Sequence, residues 1–290
     1  MSLKFLSRTA LYAATALPLG GCARGVLDPA GPVAAGNRII LLNSLTIMLA
    51  IVIPTILATL LFAWWFRAGN KKAEYKPEFA YSGRLELLVW SVPALIVIFL
   101  GGIAWIGSHD LDPSKPLESK VPPLRVQVVA LDWKWLFIYP DQGIASVNRV
   151  VAPVGTPVAF QITSATVMNS LFVPQLGGQI YAMAGMETKL HLQADRPGSY
   201  QGLSAHYSGR GFPGMTFRMD AVSPQQFAGW IAGAKRSGPL LDRAGYLALL
   251  KDSENVAPYT YRAVAPGLFD AVVKDSGTLS AKRAKDGRQQ

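Results

Sequence analysis

Few residues in this chain could do chemistry. Its 290 residues include one cysteine, Cys22, and three histidines, His109, His191 and His206. A single cysteine rules out an intrachain disulfide and a zinc site built on several thiolates. Met183, Met186 and Met215 carry soft thioethers that suit Cu(I), although methionine is more commonly a filler of apolar cores. His191 falls on the polar face of Lys189-Leu190-His191-Leu192-Gln193-Ala194, a strictly alternating stretch, which favours solvent over a metal. Glu86 stands at the start of a long uncharged run, and an ionisable group beside a membrane helix is a candidate for a proton path. A carboxylate at a helix N-terminus, or a partner for Arg84, accounts for it equally well on these grounds.

The elements that must position these residues follow from composition. Half the chain is hydrophobic, only 16% is charged, and the net charge is +10. That much apolar surface excludes disorder. Lys4 and Arg8 begin a basic leader, residues 10–17 are apolar, and Leu19-Gly20-Gly21-Cys22 follows. This is the form of a secretory signal whose apolar centre is too short to span a bilayer. The last four residues resemble the bacterial lipoprotein box. That resemblance implies removal of residues 1–21 and a covalent lipid on Cys22, anchoring the mature N-terminus at the outer face of the inner membrane.

Two spans come next. After an outer segment at 22–38, residues 39–66 carry no charge, with Pro54 mid-span and Trp64 and Trp65 at the end. A second span is expected at 85–108, uncharged from Leu87 onward and holding Pro93 and Trp105. Each exceeds the roughly 20 residues needed to cross the hydrocarbon core. The connecting loop, 67–84, carries Arg67, Lys71, Lys72, Lys76 and Arg84 against Glu74 and Glu78, the charge signature of a cytoplasmic loop. An outer Cys22 gives the same topology, so everything beyond residue 108 lies in the periplasm.

Prolines at 113, 116, 122 and 123 mark an extended linker, and the periodicity then changes. Short strands are expected at Leu124–Ala130, Trp133–Tyr139, Pro157–Thr163, Thr188–Ala194 and Met215–Val222, separated by turn residues. Residues 109–222 therefore read as an all-β sandwich. Ser223-Pro224-Gln225-Gln226 is a capping box, and Phe227, Trp230, Ile231 and Ala234 recur at helical spacing. A second helix is expected from Asp242 through Leu250, making 223–274 a helical arm and 275–290 a basic, solvated tail. The positive charge thus belongs largely to a loop and a tail, with no groove-fitting nucleic-acid motif.

Taken together, lipobox, helix pair, sandwich and arm resemble subunit II of the haem-copper respiratory oxidases, in the ubiquinol-oxidising cytochrome bo-type branch. The resemblance rests on Trp90-Ser91-Val92-Pro93, Asp112-Pro113-Ser114-Lys115-Pro116-Leu117, Leu131-Asp132-Trp133-Lys134-Trp135, residues 167–174 and residues 179–186. It covers nearly the whole chain. It implies a membrane-anchored α+β chain: a two-helix transmembrane hairpin, an all-β cupredoxin-like sandwich and a short helical arm. Copper-bearing relatives hold a dinuclear centre on two Cys, two His, a Met and a Glu carbonyl. The matching positions here are Asn169 and Phe212 for the histidines, Ser204 and Ser208 for the cysteines, and His206 for the glutamate. Only Met215 keeps a ligand type. Serine hydroxyls cannot replace the thiolates such copper requires.

The resemblance therefore implies a non-redox subunit of a proton-pumping quinol oxidase. Haems and copper are expected in subunit I, with further small membrane subunits, the ubiquinol pool as electron donor, and no cytochrome c. It also implies that Glu86, read with Trp90 and Pro93, stands at the entrance of a proton pathway into subunit I. Trp133 and Trp135 read as same-face strand aromatics without copper to serve. The competing readings are a stand-alone periplasmic copper-binding lipoprotein and subunit II of a menaquinol oxidase.

Overall fold

The computed structural model describes residues 25–74 and 76–276, so Cys22 and the tail beyond residue 276 lie outside the described residues. The chain divides into two compact units, one of residues 36–112 and the other holding the sandwich, its N-terminal segment and the arm.

The first unit is a helix pair. Helix α1 is Pro32–Trp65 and helix α2 is Gly83–Asp110. At about 1.5 Å per residue these are about 51 and about 42 Å long, more than the roughly 30 Å hydrocarbon thickness. Large apolar side chains point outward all round, among them Leu57, Leu60, Val97 and Ile98. The helices meet where Gly107 has no side chain, since a Cβ there would come within 2.5 Å of Ile40. Helix α1 starts seven residues before the charge-free run at 39, so residues 32–38, expected in the outer segment, are helical. Pro32 at the first helical position supplies the start, because its missing N–H has no intrahelical partner there in any case.

Among the described residues, thirteen strands build the second unit. They are β1 (Leu124–Leu131), β2 (Lys134–Tyr139), β3 (Ile144–Val147), β4 (Arg149–Pro153), β5 (Val158–Ser164), β6 (Asn169–Phe172), β7 (Gln179–Ala182), β8 (Thr188–Leu192), β9 (Gly198–Ser204), β10 (Thr216–Val222), β11 (Leu240–Leu241), β12 (Tyr259–Tyr261) and β13 (Ala263–Val264). One sheet runs β12-β3-β2-β1-β5-β8 and faces a second, β4-β10-β9-β6-β7. Pairing is mostly antiparallel, but β1 with β5 and β4 with β10 are parallel. The core between the sheets holds Val126, Val128, Trp135, Phe137, Phe160 and Leu190 from one side and Leu171, Tyr200, Phe217 and Met219 from the other.

Every residue of β2 is buried, because the larger sheet is covered on both faces. Its outer face, with Val129, Leu131, Leu136, Ile138 and Val147, packs against Leu241, Leu249, Tyr261, Phe269 and Val272 of the arm. This double cover explains why Lys134-Trp135-Leu136-Phe137-Ile138-Tyr139 shows no apolar-polar alternation.

The arm differs from a purely helical one. Helix α3 (Pro224–Arg236) starts with the expected capping box: Ser223 Oγ accepts from the Gln226 amide, and Gln226 Oε1 accepts from the Ser223 amide. Its Phe227, Trp230 and Ile231 pack on the sandwich core. Helix α4 (Arg243–Leu249) follows, capped by Asp242. Yet β11 and β13 pair with each other and β12 joins the large sheet beside β3. The β-branched and aromatic run Tyr259-Thr260-Tyr261 suits that edge better than a helix. A last helix occupies residues 268–276, so residues 275 and 276, expected in the tail, are helical. Ser276 is buried; its Oγ donates to the Val272 carbonyl and accepts from the Gly185 amide.

Candidate functional site

The positions matched to copper ligands meet at one end of the sandwich. Asn169 begins β6, Ser204 ends β9, and the loop 205–215 returns through a short 3-10 turn at Phe212–Gly214 to Met215. Backbone bonds close the loop: the Ser204 amide donates to the Met215 carbonyl at 3.1 Å and the Ala205 amide to that of Ser170 at 2.9 Å. Asn169, Ser204 and Met215 are buried.

Their polar atoms are already engaged with one another. Ser204 Oγ faces two acceptors, Asn169 Oδ1 at 3.2 Å and the His206 carbonyl at 3.3 Å. Asn169 Nδ2 donates to the Val167 carbonyl at 3.1 Å, and Ser208 Oγ to Met215 Sδ at 3.9 Å. The His206 ring stands edge-on to Tyr181, centroids 5.9 Å apart, and Phe212 packs against Tyr207. This donor set does not fit a dinuclear copper centre. It offers two neutral hydroxyls, an amide, one thioether and the single imidazole of His206 where copper needs two bridging thiolates and two imidazoles. The hydroxyl and amide dipoles instead satisfy one another, as buried polar groups must.

Trp133 braces this loop. It lies in the tight turn between β1 and β2 with φ +61°, not on a strand beside Trp135 as its sequence suggests. A bulky residue in the left-handed region costs about 1–2 kcal/mol, so its surroundings must hold it. Its Nε1 donates to the Ser208 carbonyl at 2.9 Å, and the Arg210 guanidinium sits 5.8 Å above its ring. A Cβ on Gly211 would come within 2.4 Å of that ring, so only glycine lets the loop lie so close. Trp135, by contrast, is fully buried in the core against Phe217.

Glu86 lies in the first turn of α2, its amide donating to the Ser82 carbonyl at 3.0 Å. Its carboxylate is exposed and, among the described residues, makes no ion pair with Arg84 or any other group. By spacing, Glu86, Trp90 and Pro93 share one helix face. His191 is half-buried rather than solvated: its Nδ1 lies 3.3 Å from the Pro113 carbonyl, against the linker. Met215 is buried whereas Met186 is exposed, so the methionine set is divided between core and surface.

Two residues that sequence reasoning missed tie the arm to the sandwich. Lys134, only 2% exposed, donates to the Lys251 carbonyl at 2.7 Å, Ser253 Oγ at 2.6 Å and the Asp132 carbonyl at 3.3 Å. Burial pushes its ammonium below the ordinary lysine value, against the opposing pull of Asp132 and Asp252. Asn148, at φ +54°, accepts from the Trp135 amide at 2.8 Å and donates to the Val256 carbonyl at 2.8 Å. The available signal was a lysine interrupting the apolar run around Trp133 and Trp135.

Two family models and several curated relatives match this chain. Residues 141–222 match the model of the cytochrome c oxidase subunit II periplasmic domain, and residues 235–275 that of the COX aromatic rich motif. Ubiquinol oxidase subunit 2 of Acetobacter aceti is 51% identical over 277 residues, covering 94% of this chain and 90% of that one. Cytochrome bo(3) ubiquinol oxidase subunit 2 of Pseudomonas aeruginosa is 51% identical over 263 residues, covering 91% and 80%. Among solved structures, the periplasmic domain of subunit II of cytochrome oxidase of Bradyrhizobium japonicum aligns at 25% identity and a TM-score of 0.39, covering 41% of this chain and 98% of that one.

Proposed function

Because the chain belongs to the ubiquinol oxidase subunit 2 family of the haem-copper oxidases, we propose that it is the non-redox subunit II of a proton-pumping quinol oxidase in a bacterial inner membrane. The complex oxidises quinol and reduces dioxygen to water, with haem and copper held by subunit I. The observation that carries the non-redox reading is the donor set at the sandwich end. Ser204 and Ser208 stand where thiolates would be needed, and their hydroxyls are hydrogen-bonded to neutral protein groups. Without a metal there, the domain has no station for electrons from cytochrome c. Electrons pass from membrane quinol directly to subunit I.

Two further roles belong to this reading. Cys22 carries a covalent lipid, and the spans run inward and back outward around a basic cytoplasmic loop, leaving the sandwich in the periplasm. Glu86, at the cytoplasmic start of α2, takes up protons for subunit I. Its exposed and unpaired carboxylate is available to exchange protons with water on one side and with a partner helix on the other. The test is Glu86→Gln in the whole complex. Proton uptake during oxygen reduction should slow at least tenfold while the haem spectra stay unchanged. Normal turnover and proton uptake in the variant would remove Glu86 from the pathway.

A further inference from the structure

The outer face of the smaller sheet carries an unusual row. In register, Arg218 of β10 lies opposite Arg149 of β4 on one side and Gln201 of β9 on the other. Like charges side by side on paired strands repel, and a carboxylate between them relieves that repulsion. One such group is present: Asp220 Oδ2 accepts from Arg149 Nε at 2.8 Å. Arg218 has none; among the described residues its guanidinium makes no ion pair or side-chain hydrogen bond. The pair of arginines is therefore short of one carboxylate.

This row floors a groove of about 880 Å³, lined also by Ser199, Thr216, Val256, Pro258 and the Asp220 carboxylate that pairs with Arg149. The side chains of Ser199, Gln201 and Thr216 are exposed and likewise without partners among the described residues. A second hollow of about 310 Å³ continues it past Arg149 and Pro258, where Trp230 and Tyr259 form the walls. The arm segment forming one side is held in place by Asn148, which donates to the Val256 carbonyl. The two hollows thus meet at Arg149 and Pro258 and together offer free hydrogen-bonding groups, two arginines against one carboxylate, and an aromatic end.

We propose that this groove seats an extended acidic segment from another subunit of the oxidase complex, with a carboxylate of that segment paired to Arg218. The inference rests on the reading of the chain as part of a multi-subunit oxidase. The free hydroxyls and the Gln201 amide meet the incoming backbone, and the aromatic end takes an apolar side chain.

The experiment uses the purified complex. Arg218→Lys keeps the charge and supplies an amine that a carbodiimide can join to a carboxylate in direct contact. Mass spectrometry should find position 218 linked to an aspartate or glutamate of another subunit. Arg218→Glu should lower retention of that subunit by about tenfold at physiological salt. A link only to Asp220, no link, or full retention of every subunit in Arg218→Glu would overturn the proposal. So would suppression of labelling by inorganic phosphate with no linked partner peptide, which marks a site for free anions. Quinol-driven oxygen uptake by the wild-type complex is measured alongside: its absence would count against the oxidase reading, whereas the link bears on the groove alone.

Discussion

Replacing Lys134 by methionine tests whether a buried cation fastens the arm to the sandwich. The substitution keeps an unbranched apolar stem of similar length and deletes the ammonium. It leaves the Lys251 carbonyl, Ser253 Oγ and the Asp132 carbonyl without their donor. Hydrogen bonds from a charged donor contribute about 1.5–3 kcal/mol each, so the two short ones hold about 3–6 kcal/mol. Relief from burying the cation offsets a part, leaving an expected loss of about 2–4 kcal/mol. For a domain of this size that lowers the melting temperature by about 4–16 °C. The pH dependence has a definite sign. Burial lowers the folded-state pKa below the ordinary 10.5. Between the lowered value and 10.5 the unfolded chain binds more protons, so wild-type stability relative to the variant rises with pH across that window. Thermal unfolding of wild type and Lys134→Met from neutral pH to about pH 10, with limited proteolysis of the arm, provides the assay. A variant as stable as wild type would refute the fastening role, and a difference that shrinks as pH rises would refute the lowered folded-state pKa.

Asn148→Ala should cost about 2–4 kcal/mol in denaturant unfolding, because it removes both hydrogen bonds and puts alanine at positive φ; Asn148→Gly should recover about 1 kcal/mol of that by relieving the backbone alone. Gly211→Ala should destabilise the domain by about 1–3 kcal/mol and alter tryptophan fluorescence, because the new methyl must displace the Trp133 ring.

Much of the fold is legible in residue patterns, and the failures have physical causes. The spans announce themselves through length and absence of charge. Strands β1, β5, β8 and β10 show through alternation; β2 is expected as an alternating run as well, but it is buried on both faces and does not alternate. Strands β3 and β4 escape notice because they are short and joined at Asn148, whose positive φ turns the chain within one residue. The arm strands escape because two-residue β11 and β13 are defined by their partners rather than by any local period. The loop cluster is legible only in part. Residue types reveal that Ser204, Ser208, Asn169 and Phe212 lack the thiolates and imidazoles a dinuclear copper centre uses. That Ser204 and Asn169 bond each other, and that Trp133 braces the loop from a turn, depends on contacts between segments far apart in the chain. The Arg149–Arg218–Gln201 row is invisible for the same reason, since cross-strand register is a property of the folded sheet.

The central claim is that the sandwich retains the fold of an electron-accepting domain without its metal. Copper and haem should be counted in the purified complex and again in this chain after mild separation from subunit I, with quinol and reduced cytochrome c each offered as electron donor. The account predicts no stoichiometric copper on this chain, oxygen uptake with quinol and none with cytochrome c. Copper bound in stoichiometric amount at the loop 204–215, together with turnover on cytochrome c, would contradict it.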